Sequence, residues 1–507
     1  MSGAFAATGL DPLQRGHLRH FDNLSRRPVN DWSLMTGRST GQDDFGGYRF
    51  QLAYMMYALA LAHIHRMPAA PGLFKPIFER LFDKLLLPEV WMYWRDVSRG
   101  GSIFNAHLSD GYQEEWDPVR RDNIMYSAYV QSCALLHQYL FRDDRYAQPG
   151  AITFRHWSYF WGGEAKAFAY NANSLNAHVY WLMVESGFLG VACEPNCIFQ
   201  ICNQPAILGF RLHDLIHGGD RAQEVTDAYE AAWKDFGRTS PDGHFVVMMS
   251  GDTHEVRPNR LKSPWVDAWT GALMNMWNRD FVHAAYPAQV EDLVTARDDG
   301  TVSLRIPERP PVMGERIVSD DCDFGWAAAW MSELGDRSRL EGLLAHADRY
   351  MHPHWVDGGL YYPRNDQPQD DYGNRTLVEP HTGNVLLAYA RLNVPDGLWR
   401  LYNDPLDDSF HRWPALVEVG QDVDLHTASN TERELHFRMS ARVGEGAAVT
   451  LGRLPARPWT LTCDGVEIAY WSDGVLKAIS DMVSAVDDGV QVLTADTAVR
   501  DYELAAT

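Results

Sequence analysis

Between residues 73 and 87 the apolar side chains fall at Phe74, Ile77, Phe78, Leu81, Phe82 and Leu85, with Lys75, Glu79, Arg80, Asp83 and Lys84 between them. That spacing predicts an amphipathic helix with one wet face. The same period returns in Val225, Ala228, Tyr229, Ala232, Trp233 and Phe236, and again in Leu340, Leu343, Leu344 and Ala347. The segments starting at Tyr48, Asn123 and Trp265 are of another kind, apolar or aromatic on nearly every side. A helix without a polar face is one buried by others. About eleven or twelve helical segments precede residue 400, alternating loosely between half-exposed and buried types. Six hairpins of such helices predict an (α/α)6 barrel around a central cavity, with an irregular helical array as the competing architecture.

Past about residue 405 the period shortens to two. Leu435, Phe437, Met439, Ala441 and Val443 alternate with His436, Arg438, Ser440 and Arg442. Further strands are predicted at 448–454, 459–463, 466–470, 474–480 and 489–494, with Asp-Gly pairs at 464–465, 473–474 and 488–489 in turn positions. The chain is thus expected to divide into a catalytic barrel, residues 1–405, and a small antiparallel, β-sandwich-like accessory domain, residues 406–507. The second unit has no cluster of catalytic residue types, which suits a structural cap or an oligomer contact.

Composition narrows the function classes. The 507 residues carry a net charge of −22, which disfavours nucleic acid and anionic membrane surfaces. No apolar run of roughly 18 residues predicts membrane insertion. The N-terminal segment lacks the pattern of a secretory signal, so a cytoplasmic location is expected. Six cysteines make no disulfide framework in so long a chain. The unusual quantity is aromatic content: 18 Trp, 22 Tyr and 21 Phe.

Three of the cysteines crowd into Gly190–Asn203, GVACEPNCIFQICN. If the segment after Pro195 is helical, Asn196, Phe199, Cys202 and Asn203 share a face, with Cys193 and Glu194 on the loop before it. Loop thiol and helix thiol then converge on one cavity. A structural metal is disfavoured, because Cys-x3-Cys-x4-Cys has no usual ligand spacing and neither a partner CxxC nor HExxH occurs. His63/His65 and His352/His354 are weak ligand pairs, read as surface or capping residues. The acidic pairs at Asp43-Asp44, Asp143-Asp144, Asp320-Asp321 and Asp407-Asp408 complete no DDxxD. No metal and no organic cofactor is therefore expected.

The motif C-E-P-x-x-x-F-x-x-C-N, matched by Cys193, Glu194, Pro195, Phe199, Cys202 and Asn203, resembles that of the linalool dehydratase/isomerase family. DPVRRDNIMYSAY at 117–129 is similar to the family's D-P-I…E-N-I-M-Y-K-G-H, and VWMYW at 90–94 to its V-W-x-x-W. KSPWVDAW at 262–269 and the helix from Tyr48 lie in corresponding order, so the resemblance spans about residues 15–395. It implies an (α/α)6 barrel binding an isoprenoid-like apolar alcohol, at a subunit interface of a ring-shaped homo-oligomer. The implied chemistry is reversible loss of water and allylic isomerisation, without metal or cofactor. Cys193 and Cys202 then match the family's thiols, Glu194 the neighbouring carboxylate, and Met125 and Phe199 the cavity walls. HFDNLS aligns Asp22 with the family's acid, with Asp43 and Asp44 as alternatives. Two positions depart from the pattern: Tyr129 replaces the histidine that ends N-I-M-Y-x-x-H, and Pro28 replaces a tyrosine.

Eliminating water from a tertiary or allylic alcohol needs an acid, a base, and surroundings that tolerate positive charge. Aromatic faces supply the third. The expected substrate-contacting set is Met125, Tyr126, Phe199, Tyr54, Trp265, Trp269 and Asn203, with Tyr57, Trp326 and Trp330 as further rings. The expected acid/base set is Cys193, Cys202, Glu194, Asp22, Tyr129 and Asp44. The reading is a dehydratase/isomerase in terpenoid-like secondary metabolism. Its rivals are a dehydration-coupled cyclase or cycloaddition catalyst, a carbohydrate hydrolase, lyase or epimerase, and a non-catalytic carrier of hydrophobic ligands.

Overall fold

The computed structural model describes all residues except 1–8, 39–40, 43, 45, 102–104, 109–110, 159, 161–162, 306–321, 444–445, 488 and 507. Asp43, Asp320 and Asp321 of the predicted acidic pairs lie outside the described residues. Among the described residues, twelve of the helices build the ring and its outer layer: α1 (Pro12–Arg26), α2 (Tyr48–His65), α3 (Pro71–Leu85), α4 (Ile124–Phe141), α5 (Ala172–Glu185), α6 (Gln200–His217), α7 (Arg221–Trp233), α8 (Pro264–Met274), α9 (Arg279–Leu293), α10 (Asp323–Leu334), α11 (Arg337–Tyr350) and α12 (Leu387–Leu392). A π-helical turn over Thr382–Leu386 leads into α12.

The even-numbered helices are those without a wet face. Each packs on the next, α2 on α4, α4 on α6 and so on, and α12 packs back on α2, which closes a ring. The odd-numbered helices lie behind them: α3 against α2, α5 against α4, α7 against α6, α9 against α8, α11 against α10, and α1 against α12. Sequence explains the division, since α2 is buried from Tyr48 to Ile64 whereas α11 buries only Gly342, Leu343, His346 and Ala347. One end of the ring is tied by Glu333, which accepts hydrogen bonds from Asn275, Asn393 and the backbone N–H groups of Leu398 and Trp399 at 2.9–3.1 Å. Among the described residues no helix is long and apolar enough to cross a membrane.

The chain turns to strands at Ala415. Two small strands nearer the middle, β1 (Cys197–Ile198) and β2 (Met248–Ser250), pair antiparallel and matter for the site. At the C-terminal end, β3 (Ala415–Val419), β4 (Val423–Asn430), β5 (Glu434–Ala441), β6 (Ala447–Gly452), β7 (Trp459–Cys463), β8 (Val466–Ser472), β9 (Val475–Ala478), β10 (Val483–Val486), β11 (Gly489–Thr494) and β12 (Arg500–Ala506) form two antiparallel sheets. Their orders are β3-β6-β11-β10 and β4-β5-β12-β7-β8-β9. Asp464-Gly465 and Asp473-Gly474 have positive φ at both residues, as a type I′ hairpin requires. Strands β3, β4, β10 and β12 were not expected from periodicity. In β4 a bulge between Leu425 and Thr427 shifts the register, so its apolar positions do not alternate. The sheets are tied to the helices by Leu416 N–H on Ala69 O, 2.8 Å, and Leu10 N–H on His426 O, 2.9 Å.

His63, expected at the surface or as a cap, is fully buried. It lies against Phe74, Phe141 and Phe410, with Nδ1 3.1 Å from Met67 O. Burial lowers its pKa to about 3. An unfolded chain protonates this histidine near its ordinary value and the folded chain does not, so its burial costs stability as pH falls below about 6.5. Between pH 7 and pH 5 the stability difference between His63→Phe and the parent chain is therefore expected to move by about 2 kcal/mol in favour of the variant. Urea unfolding at the two pH values measures it.

Candidate active site

The cysteine-rich segment is not helical after Pro195. Cys197 N–H donates to Glu194 O at 2.9 Å, and Asn196 has φ +68°. Proline at the second position and a left-handed asparagine at the third are what a type II turn demands. Cys197 then continues into β1, and α6 starts only at Gln200, with Phe199 as its N-cap. The expected shared face of Asn196, Phe199, Cys202 and Asn203 is thereby corrected. Asn196 turns to the Gly251–Asp252 loop, where its Oδ1 accepts from Asp252 N–H at 2.7 Å.

The two motifs are knitted together by backbone. The first N–H groups of a helix lack partners within it. In α4 those of Asn123 and Ile124 donate to Cys193 O and Ala192 O, at 2.9 and 3.3 Å. Tyr93 Oη donates to Asn123 Oδ1 at 2.5 Å. Gly190, at φ +114°, lets Asn203 come so close that a Cβ there would lie 2.7 Å from its Nδ2. Asn203 is a clamp: its Oδ1 accepts from Val191 N–H, and its Nδ2 donates to Val191 O and Phe199 O, at 2.9–3.1 Å. Its amide holds the loop to the helix through these three bonds, a positioning role where a substrate contact was expected.

The thiols do meet. Cys193 and Cys202 hydrogen-bond to each other and both feel Glu194. For Cys193 the bond from Cys202 favours the thiolate, but burial and Glu194 outweigh it and its pKa rises. Burial, then the Cys193 contact, raises Cys202 well above the thiol range. Burial raises Glu194 too, against the pull of Arg49. Cys193, Glu194 and Phe199 keep some accessible surface, although Cys193 and Glu194 are strongly desolvated. Arg49, buried, lies over the rings of Phe50 and Tyr93 at 4.2 and 4.0 Å and supplies the positive charge beside Glu194.

A box of rings adjoins this cluster inside the helix ring. Tyr54 is its centre, with Tyr129 at 5.6 Å, Trp326 at 4.7 Å and His381 at 5.3 Å between ring centroids. Trp269 stacks on Trp326 at 4.4 Å and donates Nε1–H to Tyr54 Oη at 2.7 Å. Phe50 touches Tyr129, Trp269 and His381. Tyr129 Oη sits 3.0 Å from Met125 Sδ, and Tyr129 and Tyr54 both feel Cys202. Neutral thiols, a carboxyl of raised pKa and an aromatic wall can move protons and accommodate a cationic centre.

The sequence model of linalool dehydratase/isomerase matches residues 49–368, well over half of the chain and all of this cluster except His381. The chain belongs to the linalool dehydratase/isomerase family. Among solved structures, an inactive α-1,6-mannanase variant of Salegentibacter sp. HEL1_6 in complex with α-1,6-mannotriose is similar at 13% identity and TM-score 0.42, over 75% of this chain and 99% of that one. A protein of Listeria innocua is similar at 10% identity and TM-score 0.43, over 75% and 96%. An endoglucanase from Clostridium thermocellum is similar at 10% identity and TM-score 0.36, over 98% and 92%. Likeness at this level carries no argument about chemistry.

Several expected residues of this linalool dehydratase/isomerase family member lie elsewhere. Asp22, aligned with the family's acid, is held by Arg80 Nη2 at 2.6 Å, Arg26 Nε at 2.9 Å and Arg19 Nη1 at 3.4 Å. It lines a cleft between α1, α3 and β4 that contains none of the thiols. Its position three residues after Arg19 and four before Arg26 on α1 makes it an ion-pair hub. Tyr126 turns outward, donating to Leu85 O at 2.8 Å and packing against Phe154. Trp330 likewise faces Tyr286 of α9. Trp265, at the start of α8, donates its backbone N–H to Asp323. Asp44 lies by the π-helical turn: a Cβ at Gly46 would be 3.6 Å from its Oδ2 and 3.5 Å from Glu379 Oε2. Glu79, His137 and Asp143 bring their ligand atoms within 4.8 Å of one another, but Lys75 is 2.7 Å from Asp143 and Arg145 3.1 Å from Glu79, so cations of the chain already serve them.

Arg49, Tyr93 and His381 were missed. Arg49 carries a signal in retrospect, as the lone Lys, Arg, Asp or Glu of the buried helix 48–65. His381 carries none.

Proposed function

We propose that this chain is a cofactor-independent dehydratase/isomerase acting on an apolar, terpenoid-like alcohol. Residues 1–405 would be the catalytic unit, its closed ring of helices an (α/α)6 barrel, and residues 406–507 an accessory β-sandwich-like domain. The observation that carries the reading is the convergence of Cys193, Cys202, Glu194 and Arg49 beside the Tyr54–Trp269 box. Glu194, with its raised pKa, gives a proton to the leaving hydroxyl, and Arg49 steadies the carboxylate that remains. The thiols, neutral at pH 7, relay protons. Phe50, Tyr54, Tyr129, Trp269 and Trp326 face the developing cation, each well-placed ring contributing roughly 0.5–2 kcal/mol. Tyr129 stands where the family has histidine, so proton removal falls to another group.

Incubation with linalool and mass analysis of the products tests the reading. Loss of one water, or an isomeric alcohol, is expected, with oligosaccharides left unchanged. Recovery of linalool unaltered after saturable binding would make the chain a carrier instead.

A further inference from the structure

His381 is fully buried, and among the described residues neither of its ring nitrogens has a hydrogen-bond partner. The rings of Phe50, Tyr54, Trp269 and Trp326 surround it, at centroid distances of 5.3–6.4 Å. Trp326 Nε1, in the same box, is also buried without a partner. Each such atom loses its hydration on burial and gains nothing in return unless something pairs with it. With no accessible surface, neither nitrogen of His381 can turn to water.

The backbone holds the residue there deliberately. Glu379 accepts from the His381 and Thr382 N–H groups, at 2.6 and 2.5 Å, and the chain then makes its π-helical turn. Such turns are frequent at functional sites. Gly325 permits the approach of α10, since a Cβ there would meet Thr382 Oγ1 at 2.6 Å.

Resting on the dehydratase reading above, we infer that His381 is the proton acceptor of this member, replacing the family histidine that Tyr129 has displaced. His381 and Tyr129 both border Phe50 and Tyr54, so the two residues share one aromatic box. The acid protonates the hydroxyl and the C–O bond breaks, its electron pair leaving with water. The proton on the neighbouring carbon passes to a ring nitrogen of His381, and the C–H pair becomes the C=C bond. The imidazolium returns its proton to the acid through the released water. Burial lowers the His381 pKa to about 3, so at neutral pH it is always the neutral acceptor. A carbocation gives up its adjacent proton even to so weak a base.

Two measurements test this. The ring ¹⁵N resonances of His381 in the full chain, assigned by their loss in His381→Gln, are followed on adding linalool and, separately, the hydroxyl-free hydrocarbon myrcene. Linalool is expected to shift them and myrcene to shift them less; resonances unmoved by linalool overturn the proposal. In turnover assays His381→Phe is expected to lose at least about 100-fold in kcat, with KM changed far less. Activity within threefold of the parent overturns the proposal while leaving the dehydratase reading intact. Shifted resonances without any turnover support the His381 contact and contradict the dehydratase reading.

Discussion

Cys193→Ala and Cys202→Ala are each expected to lower kcat for an apolar tertiary alcohol such as linalool by about 100-fold or more, within the range of a lost proton-transfer group. Each thiol is the other's hydrogen-bond partner, so removing one disables the relay rather than halving it. Melting temperature is expected to change little. Cys193 is half-buried in a loop whose shape comes from backbone bonds to Asn123, Ile124 and Cys197, none of which passes through its sulfur. Cys202 is small, and replacing its sulfur removes about one methylene's worth of buried surface, about 0.8 kcal/mol. Steady-state kinetics with calorimetry on the same preparations separates the effects. Full activity in both variants would remove the thiols from the mechanism.

Asp22→Ala is expected to give the opposite pattern, a loss of about 2–3 kcal/mol in stability with kcat retained. Three guanidinium groups converge on this buried carboxylate, and Arg80 links α3 to α1 through it. Removing one partner of a buried ion pair leaves the others unpaired, typically at 3–5 kcal/mol. The expected value is lower because Arg26 and Arg80 keep 39% and 29% of their side-chain exposure and recover some hydration. Urea unfolding gives the stability and linalool turnover the rate. A large fall in kcat with unchanged stability would restore Asp22 as the acid suggested by its alignment.

The division into half-wet and fully dry helices was legible in the hydrophobic spacing, because burial leaves a period that composition alone does not. So was the joining of Cys193, Glu194 and Cys202, since short separation keeps such residues near one another whatever the local structure. The turn at Pro195–Asn196 was written in the Pro-Asn pair and overridden by the expectation of a helix. Asp22 shows the limit of a short alignment: HFDNLS matches a pattern, but the arginines that claim the carboxylate come from α1 itself and from Arg80, which only the fold brings across. His381 lies about 180–190 residues from the thiols and outside the family match, at the start of a π-helical turn that no hydrophobic period announces. Its partners Tyr54, Trp269 and Trp326 are ordinary members of dry helices until the ring closes.

The most direct measurement is isotope exchange in H₂¹⁸O with linalool as probe. Reversible loss and return of water at the Cys193–Glu194 cluster predicts that recovered alcohol acquires ¹⁸O with the parent chain and not with Cys193→Ala. Alcohol recovered unlabelled and unchanged from the parent chain, despite saturable binding, would contradict acid/base dehydration at this site.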